Sequence, residues 1–499
     1  ESFANYSEYL WIEHKYGKEA ADIYHHNEML GYKEEALTKN VDLIRYYHKG
    51  SEDMFDSHSY AKGGRILHML RHLVGDDAFF ASLRLYLIRH AFQSVEADQL
   101  RIAFEDVTGK DLNWFFNQWF FNKGYPKLYV QYAYHPETKK QTVTIEQIQP
   151  ASFAPIYRLP IDLALYFDGK AERTCVWLDS AKQTFSFPVQ RKPDWINIDE
   201  SGVLLADIFE TKSATDYLQQ YKQGSCILDK LKALKYFGTL DAKAWHTEIN
   251  QIILDALHYP NATIREEAIR LIPQLPDTLN PYLTDYLKKT IRHDTDPNVR
   301  IAAIQEAEGK LPEKEFISVL SEAVNDSAWI VVNEAIDYLI EYETDNTILL
   351  LLNTINKKPI ASSFYVEAIS ILKYLDEFDD KLMPILLSLY DRLTDPNDKM
   401  TFLHHFGDYM CRVHGDKREI GYQFLFKVIE SDPMWFTRAG AYHALILIIE
   451  NDRALANKEK DKDLKKIIQN RIDSAVSRYD YFYSRERNAD LLNYIVPMK

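Results

Sequence analysis

The feature that most constrains this chain is a change of apolar period at Gly124-Tyr125-Pro126. Before it, apolar residues recur at helical spacing, as in Ile66, Leu67, Leu70 and Leu73, then Phe79, Leu83 and Leu87 beyond the break at Gly75-Asp76-Asp77, and finally Phe115, Phe116, Trp119 and Phe120. After it the period is two: Leu128, Val130 and Tyr132; Val143 and Ile145; Leu163, Leu165 and Phe167; Phe185, Phe187 and Val189. A helix cannot keep one apolar face at a period of two, so the chain must change structural type at that Gly and Pro pair. Turn-rich pieces such as His135-Pro136-Glu137 and Phe167-Asp168-Gly169 separate the alternating runs, which predict a small antiparallel sandwich over 127–210.

From about Ser213 the helical period returns and a pattern recurs within it. Ile264 is followed by Ala268, Val299 by Ala303 and Val332 by Ala335. Similar turns precede them: Pro260-Asn261, Asp296-Pro297 and Asn325-Asp326, with Ser431-Asp432-Pro433 repeating the theme later. Short polar turns alternating with helices that carry a small residue predict a HEAT-like helical solenoid over 211–499, with an irregular helical bundle as the alternative.

A chain of 499 residues exceeds one hydrophobic core, so several domains are expected. The net charge of -15 would repel phosphate backbones, and the basic residues sit among acids, which disfavours nucleic-acid binding. No uninterrupted apolar run is long enough for a membrane-spanning helix, so a soluble protein is expected, cytoplasmic or periplasmic. Cys175, Cys226 and Cys411 are far apart and suggest neither a disulfide framework nor a cysteine zinc cluster. The first residues lack the basic start and apolar stretch of a signal peptide and have no initiator methionine, so residues are expected upstream of Glu1.

The usual catalytic signatures are absent: no H-E-x-x-H, Walker loop, G-x-S-x-G or dinucleotide-binding glycine fingerprint occurs. His25-His26 and His404-His405 are adjacent pairs whose rings leave a helix in different directions, which makes them poor joint metal ligands.

Three segments nevertheless occur in a telling order: Glu1-Ser2-Phe3-Ala4, Ser59-Tyr60-Ala61-Lys62-Gly63, and Phe115-Phe116-Asn117-Gln118-Trp119 followed by Gly124-Tyr125-Pro126. Together they resemble the aminopeptidase N family of zinc aminopeptidases. In that family H-E-x-x-H is followed by a glutamate in an Asn-Glu-(Gly/Ser)-Phe-Ala context, the third zinc ligand, which Glu1 matches. A tyrosine in a Tyr-x-Lys-Gly setting steadies the tetrahedral intermediate, and Tyr60 matches it. The resemblance implies a multidomain α+β fold: the helical second half of a thermolysin-like peptidase domain over 1–126, the antiparallel β-sandwich over 127–210, and the HEAT-like α-solenoid over 211–499. Only the leading segment carries specific motifs.

The resemblance implies one catalytic Zn2+ ion, with Glu1 as a ligand and Tyr60 donating a hydrogen bond to the developing oxyanion. Glu8, two turns beyond Glu1 on the same helical face, would orient a zinc-bound histidine through its free ring nitrogen. The bland readings are a charge in a first helical turn for Glu1, a packing aromatic for Tyr60 and a solvated helix charge for Glu8. Gly63-Gly64 inside a helical run costs helix propensity, so a packing or backbone-approach reason is expected there, such as close approach to the active-site cleft.

The two histidine ligands, the general base and the substrate-amine motif of the family belong upstream of residue 1. This chain is therefore expected to be the C-terminal portion of a zinc aminopeptidase acting on the N-termini of peptides, inactive alone, with the missing N-terminal portion as its partner. The alternative is a peptide- or protein-binding solenoid scaffold with a degenerate peptidase-like domain.

Overall fold

A computed structural model describes residues 1–342 and 382–498, apart from residues 242, 244 and 246. The chain divides into two compact units, Glu1–Gln274 and Leu275–Lys499. In the first, α1 (Ser2–Tyr16) and α2 (Lys18–Glu35) turn about Gly17 and lie antiparallel, linked by Asn5 to Glu28 and Tyr9 to Asp22. A single π-helical turn, His58–Lys62, leads into α3 (Gly63–Val74), followed by α4 (Asp76–Arg89), α5 (Ala97–Thr108) and α6 (Asn113–Trp119).

Gly124 stands where the structural type changes, and its φ of 71° together with a virtual Cβ only 2.5 Å from the Phe153 carbonyl oxygen explains the glycine. Seven strands follow: β1 (Lys127–His135), β2 (Lys140–Gln147), β3 (Leu159–Phe167), β4 (Lys170–Leu178), β5 (Lys182–Pro188), β6 (Trp195–Ile198) and β7 (Asp207–Glu210). They form two sheets, ordered β5-β2-β1-β7 and β4-β3-β6. Asp168 and Gly169, both at positive φ, make the tight turn between β3 and β4. The sandwich is antiparallel, as expected, at every strand pair but one: β7 runs parallel to β1, pairing Lys127 with Asp207 and Val130 with Glu210. β7 arrives from the other sheet by the 199–206 connection, and a crossover, unlike a hairpin, can deliver a strand in parallel.

One continuous core joins the leading helices to both sheets, running from Tyr6, Leu70 and Phe116 through Leu128 and Val143 to Leu163 and Ile198. The first unit continues with α7 (Ala214–Gln223), α8 (Ile227–Gly238), α9 (Thr247–Ala256) and α10 (Ala262–Arg270).

The second unit is helical among the described residues. It contains α11 (Asn280–His293), α12 (Pro297–Glu308), α13 (Glu313–Ala323) and α14 (Trp329–Glu341), then helices over Leu382–Arg392, Pro396–Arg412, Arg418–Ser431, Trp435–Lys458 and Lys462–Arg485. At Asn261, Asp296 and Asp395 the turn residue caps the helix that follows, whereas Asp326 and Asp432 lie ahead of the cap position and close the turn itself. The side chains of Asp296, Asp326, Asp395 and Asp432 accept hydrogen bonds at 2.7–3.0 Å from the backbone N–H two residues on, as Asn261 does for α10 in the first unit. The paired small residues are buried, with Ala303 and Ala335 fully enclosed. Sequence reading missed a basic residue tied to these turns: Arg300 reaches the Asp294 carbonyl at 2.6 Å and Asp326 at 2.7 Å, and Lys399 reaches Asp432 at 3.0 Å. Among the described residues no helix is long and apolar enough to cross a membrane.

Candidate functional site

Glu1 is the N-cap residue of α1, exposed, with no capping hydrogen bond from its side chain. What holds it in place is the seat of α1 on α3. Ser2, Asn5, Tyr6 and Tyr9 form the inner stripe of α1, at the spacing of one helical face. The stripe meets α3 at Gly63-Gly64, where a Cβ would lie 1.9 Å from Ser2 Oγ and 2.1 Å from Asn5 Oδ1. The Ser2 hydroxyl donates to the Ser59 carbonyl at 2.8 Å, pinning the first turn of α1 to the segment that carries Tyr60. The close approach expected at the two glycines is thus made by another helix of the same chain.

Tyr60 sits in the middle of the π-helical turn, where the Lys62 N–H reaches back to the Ser57 carbonyl at 2.9 Å. Such a turn inserts an extra residue and aims a side chain that a regular helix would aim elsewhere. Asp56 anchors it, accepting hydrogen bonds from Arg45 at 2.7 and 3.2 Å and from the Ser59 N–H at 2.8 Å, and pairing with Lys39 at 2.7 Å. Burial opposes ionisation of Asp56, but the bonds from Arg45, Lys39 and Ser59 outweigh it and hold the carboxyl well below its ordinary range. Lys62 closes the other end. It is fully buried, donates to the Asn122 carbonyl at 3.0 Å and lies 5.6 Å from the Tyr32 ring centre. Burial lowers its ammonium to about 7, against the attraction of Asp42.

Glu1 and Tyr60 flank the seat of α1, and Glu8 is near enough for its charge to act on the Tyr60 phenol. Partial desolvation, a hydrogen bond to the Glu1 side chain and the charges of Glu1 and Glu8 push the Tyr60 phenol up to about 12, so it keeps its proton at neutral pH. Phe55 packs edge-on against the Tyr60 ring with centres 5.1 Å apart. Glu8 accepts a short hydrogen bond from the Tyr24 hydroxyl of α2. Sequence reading did not single out Tyr24, and no local signal marks it, because the contact depends on the antiparallel pairing of α1 and α2. Beside Glu1 opens a recess of about 310 Å³ whose walls, including Phe3, Ile44, Leu67, Leu100 and Phe120, are apolar.

The histidine pairs lie elsewhere. His25 is buried against Arg65, whose guanidinium approaches its Nδ1 at 3.1 Å, with the His68 ring 4.9 Å away. His404 lies 3.8 Å from Asp408 on its own helix, and the rings of His404 and His405 are 5.5 Å apart. Among the described residues, the ligand atoms that gather within 4.8 Å of one another belong to Glu35, Asp56 and His58. They suit a cation poorly, since Lys39 and Arg45, each 2.7 Å from Asp56 Oδ2, already occupy its carboxylate and supply the positive charge.

Residues 1–119 match the family model described as the peptidase family M1 domain, and residues 250–340 match HEAT repeats. The chain is 34% identical over 93 residues to aminopeptidase N of Escherichia coli (strain K12), covering 19% of this chain and 11% of that protein. It is 25% identical over 321 residues to aminopeptidase N of Lactococcus lactis subsp. lactis, covering 60% of this chain and 34% of that one. Aminopeptidase M1-C of Oryza sativa subsp. japonica is 27% identical over 242 residues, 47% of this chain and 26% of that protein. The chain thus spans about a third or less of these curated relatives. The crystal structure of Legionella pneumophila aminopeptidase A in complex with aspartic acid superposes with a TM-score of 0.59 at 13% identity, covering 95% of this chain and 62% of that one, a likeness of fold.

Proposed function

We propose that this chain is a member of the aminopeptidase N family and forms part of a zinc-dependent aminopeptidase that hydrolyses N-terminal residues from peptides. The observation that carries the reading is the seat of α1, where the Ser2–Ser59 hydrogen bond fixes Glu1 beside the turn that carries Tyr60, whose phenol is pushed up by partial burial and by the Glu1 side chain. Glu1 offers an exposed carboxylate, a donor that zinc accepts, and is assigned as one ligand. Zinc, when bound, supplies Lewis acidity and an acidified water. The Tyr60 hydroxyl donates to the oxygen on which negative charge develops, and Glu8, held by Tyr24, orients a zinc-bound histidine.

In this reading the peptidase part spans 1–126, the sandwich domain 127–210 and the solenoid 211–499. The histidine ligands and general base are assigned to a segment preceding residue 1, which acts as this chain's partner. One carboxylate does not retain zinc at ordinary concentrations, so the chain by itself is proposed to be inactive. The test is release of chromophore from alanyl and leucyl p-nitroanilides, with zinc supplied, by this chain and by a protein extended upstream through an H-E-x-x-H motif. Activity confined to the extended protein supports the reading. Turnover by the 499-residue chain alone overturns it.

A further inference from the structure

A second cavity of about 310 Å³ lies in the first unit between α2, the connection from β6 to β7, and α8. Its walls are apolar where Met29, Leu30, Ile208 and Leu231 face it, and ionic elsewhere. Most of the charges are already matched. Lys33 pairs with Asp207 at 2.9 Å and donates to the Ala206 carbonyl at 2.6 Å, and Lys232 pairs with Glu210. Asp199 accepts the N–H groups of Val203 and Leu204 at 2.9 and 3.0 Å, and Asp229 accepts from Asn197 and Gln220 at 2.9 and 3.1 Å. Glu200 is held by Arg173 at 2.6 Å and by Ser225 at 3.0 Å. Arg65 is taken by His25 and the Gly202 carbonyl. Two groups remain: the His26 imidazole and the Lys235 ammonium have no hydrogen bond or ion pair within the chain among the described residues.

We propose that this cavity binds a small carboxylate with an apolar body, its charge held by Lys235 and His26 and its hydrocarbon part lying against Met29, Leu30 and Leu231. Burial first, and then the nearby Lys235, Arg65 and Lys33, drive the His26 imidazole down to about 3, so it stands neutral and offers a ring N–H to a carboxylate paired with Lys235. The competing arrangement is Lys235 turned toward Glu267, whose carboxyl it already influences.

The experiment is calorimetric titration of the full chain with hexanoate, hexan-1-ol and inorganic phosphate, repeated on Lys235→Gln. Lys235 is exposed, so this variant is expected to fold, and the comparison of probes on the unaltered protein needs no variant. Hexanoate is expected to bind once per chain, about tenfold tighter than hexan-1-ol and tighter than phosphate, with Lys235→Gln removing about tenfold, the scale of one charge-assisted hydrogen bond. Equal binding of acid and alcohol overturns the proposal, as does phosphate binding as tightly as hexanoate. An unaltered affinity in Lys235→Gln, which would place the ammonium on Glu267, and an absence of hexanoate binding also overturn it.

Discussion

Gly63 and Ser2 stand so close that a methyl group on Gly63 would lie 1.9 Å from Ser2 Oγ and 2.5 Å from Ser2 Cβ. The second distance matters most, because rotating the hydroxyl does not relieve it and α1 itself must move. Gly63→Ala gains about 1 kcal/mol of helix propensity, yet the overpacking costs about 1–3 kcal/mol, so a net loss of about 1 kcal/mol is expected in urea denaturation. Gly64→Ala should cost less, since its clash is with the end of the Asn5 side chain, which can rotate. The reverse ranking would show that α1 is not seated on Gly63.

Tyr60→Phe, made in a protein extended upstream, should lower kcat by roughly 10²- to 10³-fold, the scale of losing one oxyanion donor, and leave the unfolding midpoint unchanged. Unchanged turnover would favour the alternative scaffold reading of the chain.

Asp56 is a shared acceptor for Arg45, Lys39 and the Ser59 N–H beneath the Tyr60 turn. Removing it leaves the buried Arg45 guanidinium uncompensated, so Asp56→Ala should destabilise the chain by about 3 kcal/mol. Hydrogen exchange should also accelerate at the amides of residues 59–62. Exchange rates equal to those of the unaltered protein would remove Asp56 from the role of anchor.

Lys62 gives the chain a particular pH dependence. Burial lowers its ammonium from 10.5 to about 7, so between those values the unfolded chain holds a proton that the folded chain has released. Stability relative to Lys62→Met should therefore rise as pH increases from about 7 towards 10.5, and be lost as pH falls back through 7. Denaturation of both proteins at neutral and at alkaline pH measures the difference. A gap that does not change with pH would mean that the ammonium is solvated.

In the second unit, Arg300 bridges two successive turns through Asp294 and Asp326. A double-mutant cycle of Arg300→Met and Asp326→Ala should give a coupling of about 1 kcal/mol or more, because the two groups share one half-buried network. Additive effects would reduce the bridge to a surface contact.

Much of this was open to sequence reading because it is local. The change of period at Gly124 marked the passage from helices to strands, and turn residues such as Asn261 and Asp296 stand where helices begin and cap them. Glu1 and Tyr60 were selected by their short motifs. Other features gave no such signal. Nothing around Tyr24 indicates that it bonds Glu8, and the alternation in β7 does not say whether its neighbour runs parallel.

The division has a physical cause. Spacing along the chain decides which residues share a face of a helix or strand and which side chain can cap the N–H groups just beyond it, and these depend on backbone geometry within a few residues. The sequence by itself therefore determined the element types, the repeating turns and the residue kinds at the candidate site. Tertiary packing alone decided that α1 closes on Gly63-Gly64, that the turn at Tyr60 winds as a π-helix over Asp56, and that the charges of Glu1 and Glu8 reach the Tyr60 phenol. Those relations join residues far apart in the chain, and they exist only once the core has fixed the distances between helices.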